Sequence, residues 1–166
     1  GEEKGAIEEA EREMIKNVFE FNNMTAAECM THRTDVYAVW VDDSNEEIIA
    51  LIGQTGLSRF PVYEEDLDHI IGTLFTREFL LNLQSESPLP LSEIIREAHF
   101  VPETVRTDLL FRDMQRNKFH MAVVVDEYGG TSGLITMEDL LEEIVGNIYD
   151  EYDPQDQQEF EQLGEN

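Results

Sequence analysis

Positive charge is scarce in this chain. Of its 166 residues only 11 are lysine or arginine, against 37 aspartate and glutamate, a formal charge of −26 at neutral pH. After Lys118 there is neither lysine nor arginine. Such a surface repels phosphate backbones and anionic lipid, which argues against nucleic-acid binding and against a membrane-surface protein. It can gather divalent cations diffusely, but the preferred reading is simply a highly soluble acidic protein. Cysteine is almost absent. Cys29 stands alone, so no intrachain disulfide can form, which fits a reducing compartment. A small buried apolar role is expected for it rather than nucleophilic chemistry. No run of about 18 apolar residues occurs, so no membrane span is expected. The first residues, Gly1-Glu2-Glu3-Lys4-Gly5, carry no leader pattern. An opening without Met is expected of a piece cut from a longer protein.

Catalytic patterns are missing as well. There is no Gly-x-Ser-x-Gly elbow, no Walker loop and no His-Glu-x-x-His. His32, His69, His99 and His120 lie in different segments without metal-ligand spacing, so no metal site is expected. Carboxylates are so numerous that any acid/base pair among them would be arbitrary. The expectation is a protein that is not an enzyme.

What is present is a repeat. Hydrophobic residues make up 41% of the chain, enough for one domain or two small subdomains sharing a core. Arg59-Phe-Pro-Val-Tyr63 is followed by Gly72 and a helical run, Thr76 to Leu83. At an offset of 61 residues, His120-Met-Ala-Val-Val124 is followed by Gly133 and a helical run, Met137 to Val145. In that alignment Gly72 matches Gly133, Leu74 matches Ile135, Glu78 matches Asp139 and Leu80 matches Leu141. Amphipathic helices precede each copy, at Asn45 to Gly56 and Thr107 to Asn117, and β-rich stretches precede those, at 36–41 and 100–101. Each half thus reads strand, helix, strand, strand, helix. The run 121–125 suits a strand buried on both faces, and Gly129-Gly130 and the loop 64–68 read as turns. A helix over 6–22 opens the chain, with Ile7, Met14, Ile15, Val18 and Phe19 near one face, followed by a short turn of helix within 25–30. The predicted organisation is a linker helix (1–24), repeat one (25–84), repeat two (85–148) and an acidic linker or tail, extended or partly disordered (149–166). The fold class is α/β (α+β), with tandem βαββα units packed about a pseudo-two-fold axis.

The second copy holds the most informative chemistry. A strand ends at Thr136 and a helix begins, so free N–H groups and a positive dipole end lie there, suited to a phosphate. Asp139, one turn on, can accept from both hydroxyls of a ribose. The same pair also reads as a helix cap, Thr136 at the N-cap and Asp139 three residues later. Arg59 could face an anion, or pair with one of the many acids.

These residues resemble the CBS-domain pair, or Bateman module, and within it the CorC/HlyC family of magnesium and cobalt efflux proteins, related to the metazoan cyclin-M transporters. Met30-Thr31-His32-Arg33-Thr34-Asp35-Val36, Ser58-Arg59-Phe60-Pro61-Val62-Tyr63, and the blocks 120–130 and 133–146 carry the resemblance. His32 departs from it, standing where the family usually has Pro. The resemblance implies an adenosine nucleotide, AMP or ATP, between the repeats, and the acidic surroundings call for a cation, Mg²⁺, beside ATP. Thr136 would contact phosphate and Asp139 the ribose. Thr31 would lie beside adenine, Arg59 would reach the phosphates, and Ser58 and Pro61 would line the pocket. In the first copy Phe75 and Glu78 stand in for Thr136 and Asp139, so one competent site is expected. The resemblance further implies a homodimer formed through the repeats. It also implies a parent chain with a transmembrane domain and a C-terminal CorC/HlyC domain, the module lying on the cytoplasmic face of the bacterial inner membrane. The competing expectation is a structural dimerisation module without nucleotide.

Overall fold

A computed structural model describes residues 2–152. Helix α1 (Glu2–Asn22) leads into α2 (Ala26–Cys29) and the short strand β1 (Thr31–His32). Next come β2 (Val39–Trp40), α3 (Asn45–Thr55), β3 (Arg59–Tyr63), β4 (Ile70–Phe75) and α4 (Thr76–Leu83). The chain continues with α5 (Leu91–Ile94), β5 (Phe100–Pro102), α6 (Thr107–Asn117), β6 (Met121–Val125), β7 (Thr131–Thr136) and α7 (Met137–Tyr152).

The strands form two sheets of like design. One has the order β2-β3-β4, the other β1-β7-β6-β5. In the first, β2 runs parallel to β3 and β4 antiparallel to it. In the second, β5 runs parallel to β6, and β1 lies antiparallel along β7. The mixed pattern follows from the chain path. A parallel neighbour needs a helical crossover, supplied by α3 and α6, while the antiparallel neighbour needs only a turn.

Local sequence explains the elements. At the start of α3, Ser44 Oγ accepts from the Glu47 N–H at 3.1 Å and donates to Glu47 Oε1 at 3.2 Å, a serine N-cap. Strand β6 is Met-Ala-Val-Val-Val, buried at four of its five positions, as a continuous apolar run with two covered faces should be. Helices α3 and α6 both end on a residue in the left-handed region, Gly56 at φ 67° and Lys118 at φ 55°. Glycine adopts that conformation without penalty, whereas an L side chain costs about 1–2 kcal/mol there. Lys118→Gly should therefore stabilise the protein by about 0.5–1 kcal/mol after the extra freedom of the unfolded glycine is subtracted. Urea denaturation checks this as a higher midpoint with an unchanged slope.

By compactness the chain divides into two units. Among the described residues one holds 2–30, Thr104–Met121 and 135–152; the other holds Thr31–Glu103 and Ala122–Leu134. In the first, Phe21 meets Phe111 edge-on at 6.1 Å between ring centroids. Asn17, almost fully buried, donates from Nδ2 to the Ile144 carbonyl at 2.9 Å. The Thr107 hydroxyl, also buried, donates to the Phe21 carbonyl. In the second, Val39, Ile48, Phe60, Val62, Leu74 and Phe79 form the core.

Several expectations need correction. The apolar face foreseen for α1 is not its packed face: Ile7, Met14, Ile15, Val18 and Phe19 are exposed, and Asn17 and Phe21 are buried instead. Apolar spacing alone could not reveal this, because an asparagine whose amide finds a carbonyl can lie in a packed face. The β-rich stretch 36–41 yields only the two-residue strand β2, since a 3-10 turn at Arg33–Asp35 precedes it. Helix α5 and strand β1 were not foreseen, being too short to show a period. The acidic tail expected to be extended from 149 instead continues α7 through Tyr152, and its remainder lies outside the described residues.

Candidate functional site

The compact unit that contains α7 positions Thr136 and Asp139. Strand β7 ends on Thr136, and the Met137 N–H is anchored on the His120 carbonyl at 2.9 Å. The Thr136 N–H donates to Asp139 Oδ2 at 3.0 Å, and the Asp139 N–H donates to Thr136 Oγ1 at 3.0 Å. This reciprocal box satisfies two otherwise orphaned donors of the first helical turn. Capping is thus realised, and it also locks the hydroxyl and the carboxylate side by side at the positive end of the helix. Burial pushes the Asp139 carboxyl above the ordinary range, with Glu138 adding to the effect, while the Thr136 N–H and hydroxyl pull the other way.

Acidic groups crowd the same unit. Glu143 is also raised, by burial first and then by Glu142, Asp139 and Glu20. The Cys29 thiol is pushed up to about 12 by burial, then by Glu143, Glu28 and Asp139. Cys29 is half-buried, with Sγ 3.9 Å from Met24 Sδ. A thiol of that pKa is ionised on the order of one part in 10⁴ at pH 8, so alkylation should be about 10³-fold slower than in the unfolded chain. Iodoacetamide labelling with and without urea, read by mass spectrometry, measures this; equal rates would contradict the buried, acid-crowded setting.

The other unit carries the remaining residues foreseen for the site. Thr31, half-buried, pairs with Leu134 in the β1–β7 ladder. Ser58 is exposed and Arg59 half-buried. The Ser58 carbonyl accepts from the Thr76 N–H at 2.9 Å, and Arg59 stands opposite Phe75 in the β3–β4 ladder. Pro61 is buried within β3, so it is a core residue.

Two arrangements in this unit were not foreseen. Arg33 Nη1 reaches Asp68 Oδ1 at 2.7 Å and the Thr131 carbonyl at 3.0 Å, and the same carboxylate oxygen accepts from the Thr131 N–H at 2.9 Å. The Thr131 N–H and Arg33 hold the Asp68 carboxyl below its ordinary range. This contact joins the β3–β4 turn to the start of β7, a link between residues 63 apart that no local pattern announces. The second is at the first-copy equivalents of the site. Arg96 Nη2 lies 2.6 Å from Glu78 Oε1, and its guanidinium carbon lies 5.0 Å from the centroid of Phe75. Among the described residues no cluster of three or more histidine, cysteine or carboxylate side chains could hold a metal ion, and no helix is long and apolar enough to cross a membrane.

Two sheets, each with a parallel pair bridged by a helical crossover and built from a tandem repeat, define a protein of two related α/β domains. Residues 26–84 and 91–146 each match the CBS domain, and the chain belongs to the CBS-domain family as a CBS pair of the CNNM/CorC group. The magnesium and cobalt efflux protein CorC of Vibrio cholerae is 39% identical over 158 residues, covering 95% of this chain and 54% of that protein. The chain therefore spans about half the length of this relative. The CBS domain of a bacterial CNNM/CorC family Mg²⁺ transporter, solved in complex with ATP, is 40% identical with a TM-score of 0.76, covering 82% of this chain and 97% of that one. A CBS-domain pair with bound AMP from Klebsiella pneumoniae is 31% identical with a TM-score of 0.65, covering 74% and 99%.

Proposed function

We propose that this chain is a nucleotide-sensing regulatory module of a CorC-type magnesium and cobalt transporter, and that it binds AMP or ATP. The observation that carries the reading is the Thr136–Asp139 box at the start of α7. It presents a hydroxyl and a carboxylate in fixed orientation at a helix N-terminus, in a chain whose similar structures were solved with ATP and with AMP. Thr136 serves the phosphate and Asp139 the ribose hydroxyls. The same reading gives Thr31, Ser58 and Arg59 to the nucleotide, with Pro61 supporting them from within β3. The acids around Asp139, Glu138 and Glu143 among them, disfavour a bare triphosphate, so Mg²⁺ accompanies ATP. The role is regulation rather than catalysis. Nucleotide binding favours one arrangement of the module and biases the parent protein by its differential affinity. The module works as a homodimer, beside the membrane domain of its parent on the cytoplasmic face.

The reading is tested by titration calorimetry with AMP, ADP and ATP, each with and without Mg²⁺. Saturable binding with one nucleotide per chain is expected, and no heat up to millimolar nucleotide would refute it. A second reading has support in the same box: Thr136 and Asp139 already satisfy each other, as they would in a purely structural dimerisation module. Tight dimers with no nucleotide-dependent thermal shift would favour that alternative.

A further inference from the structure

We propose that Arg96 sets the nucleotide stoichiometry by closing the first-repeat counterpart of the site from within the chain. The inference rests on the nucleotide reading above for its ligand, and on geometry for its mechanism. The ladder registers align the two copies independently of the sequence match. Thr31 pairs antiparallel with Leu134, and Arg96 pairs antiparallel with Thr73. Leu134 and Thr73 are 61 residues apart, the same offset that aligns Thr136 with Phe75 and Asp139 with Glu78. Arg96 therefore stands in the first copy where Thr31 stands in the second. Its backbone is pinned there, its N–H and carbonyl exchanging hydrogen bonds of 2.8 Å each with Thr73.

Three equivalent positions thus carry opposite chemistry. In the second copy they are Thr31, Thr136 and Asp139: two hydroxyls and a carboxylate, read above as meeting the adenine, the phosphate and the ribose. In the first they are Arg96, Phe75 and Glu78, and these satisfy one another. The guanidinium lies over the Phe75 ring at 5.0 Å and pairs with Glu78 at 2.6 Å. The planar guanidinium covers one face of the Phe75 ring, the residue that stands where Thr136 stands in the second copy. The carboxylate that would accept ribose hydroxyls is already engaged by a charge-assisted bond. A nucleotide would have to expel Arg96 from both partners and would find no hydroxyl at position 75. Replacing Phe75 and Glu78 alone is therefore insufficient to open this site.

Calorimetry with Mg²⁺-ATP and with AMP on four proteins tests this. The unsubstituted chain and the double variant F75T/E78D should each bind one nucleotide, and the triple variant R96T/F75T/E78D should bind two. Adding D139A to the triple variant should return the count to one, with binding left only at the opened site. Two nucleotides bound by the double variant would overturn the proposal, as would one bound by a triple variant whose circular dichroism and melting match the parent. A second measurement is independent of any nucleotide. The Arg96 guanidinium resonances should be displaced by the ring current of Phe75, and F75L should remove the displacement. Its absence in the unsubstituted protein overturns the closure even where one nucleotide binds, whereas its presence in a protein that binds none refutes the nucleotide reading alone.

Discussion

Asp139→Ala should weaken nucleotide binding by about 2–4 kcal/mol, roughly 30- to 700-fold in Kd at 1.4 kcal/mol per tenfold change. The magnitude follows from removing a charged acceptor that, in the proposed site, would serve two ribose hydroxyls, each such bond contributing about 1.5–3 kcal/mol at most. The substitution also opens the box with Thr136, which costs about 0.5–2 kcal/mol of stability. The two effects are separable. Asp139→Asn keeps an acceptor for the Thr136 N–H but loses the charge, so it should keep most of the stability and lose most of the affinity. Thr136→Val removes the hydroxyl and should weaken nucleotides in proportion to their phosphate contact, leaving adenosine least affected. Calorimetry on variants whose melting is known measures all three. Unchanged affinity in Asp139→Ala would remove the carboxylate from the site and with it the central assignment.

Gly72→Val should lower stability by about 2–3 kcal/mol, the upper part of the range for overpacking. In β4 the glycine backbone passes close to the segment after α5. A Cβ at that position would lie 2.8 Å from the Arg96 carbonyl oxygen and 2.9 Å from Ile95 Cδ1. The oxygen cannot give way freely, because it accepts the Thr73 N–H at 2.8 Å. The branched side chain must push the 95–96 segment off the sheet edge or bend the strand. For a protein of this size the expected fall in melting temperature is about 4–12 °C. Gly53→Ala is the matching control. It lies inside α3 with nothing within 4 Å of an added Cβ, so it should stabilise by about 0.5–1 kcal/mol. Thermal melts followed by circular dichroism separate the two glycines by sign. A melt of Gly72→Val like that of the parent would refute the close approach.

Much of the architecture was readable from the residues because it rests on short-range rules. Helices α4 and α6 and strand β6 begin and end where apolar periodicity and turn residues place them. The 61-residue offset reappears in the bridges that pair Thr31 with Leu134 and Arg96 with Thr73. The Thr136–Asp139 pair was legible as a helix cap, and the structure realises that cap. Its part in binding a nucleotide comes from the resemblance and awaits the calorimetry above.

Elsewhere the residues were silent because long-range contacts have no local signature. Arg33, Asp68 and Thr131 meet across spans that no periodicity connects. Arg96 reads as one more surface arginine until the sheet edge brings it over Phe75 and beside Glu78. The helix α1 shows the same limit in reverse: its spacing announces an apolar face, yet the face that packs holds Asn17, whose amide finds the Ile144 carbonyl. Periodicity, capping and repetition are properties of neighbouring residues, so the order of strands and helices and the unequal chemistry of the two copies were written in the chain. Which face is covered, and which charge meets which, depends on groups far apart along the chain. Those pairings come into being only when folding brings them together and removes them from water.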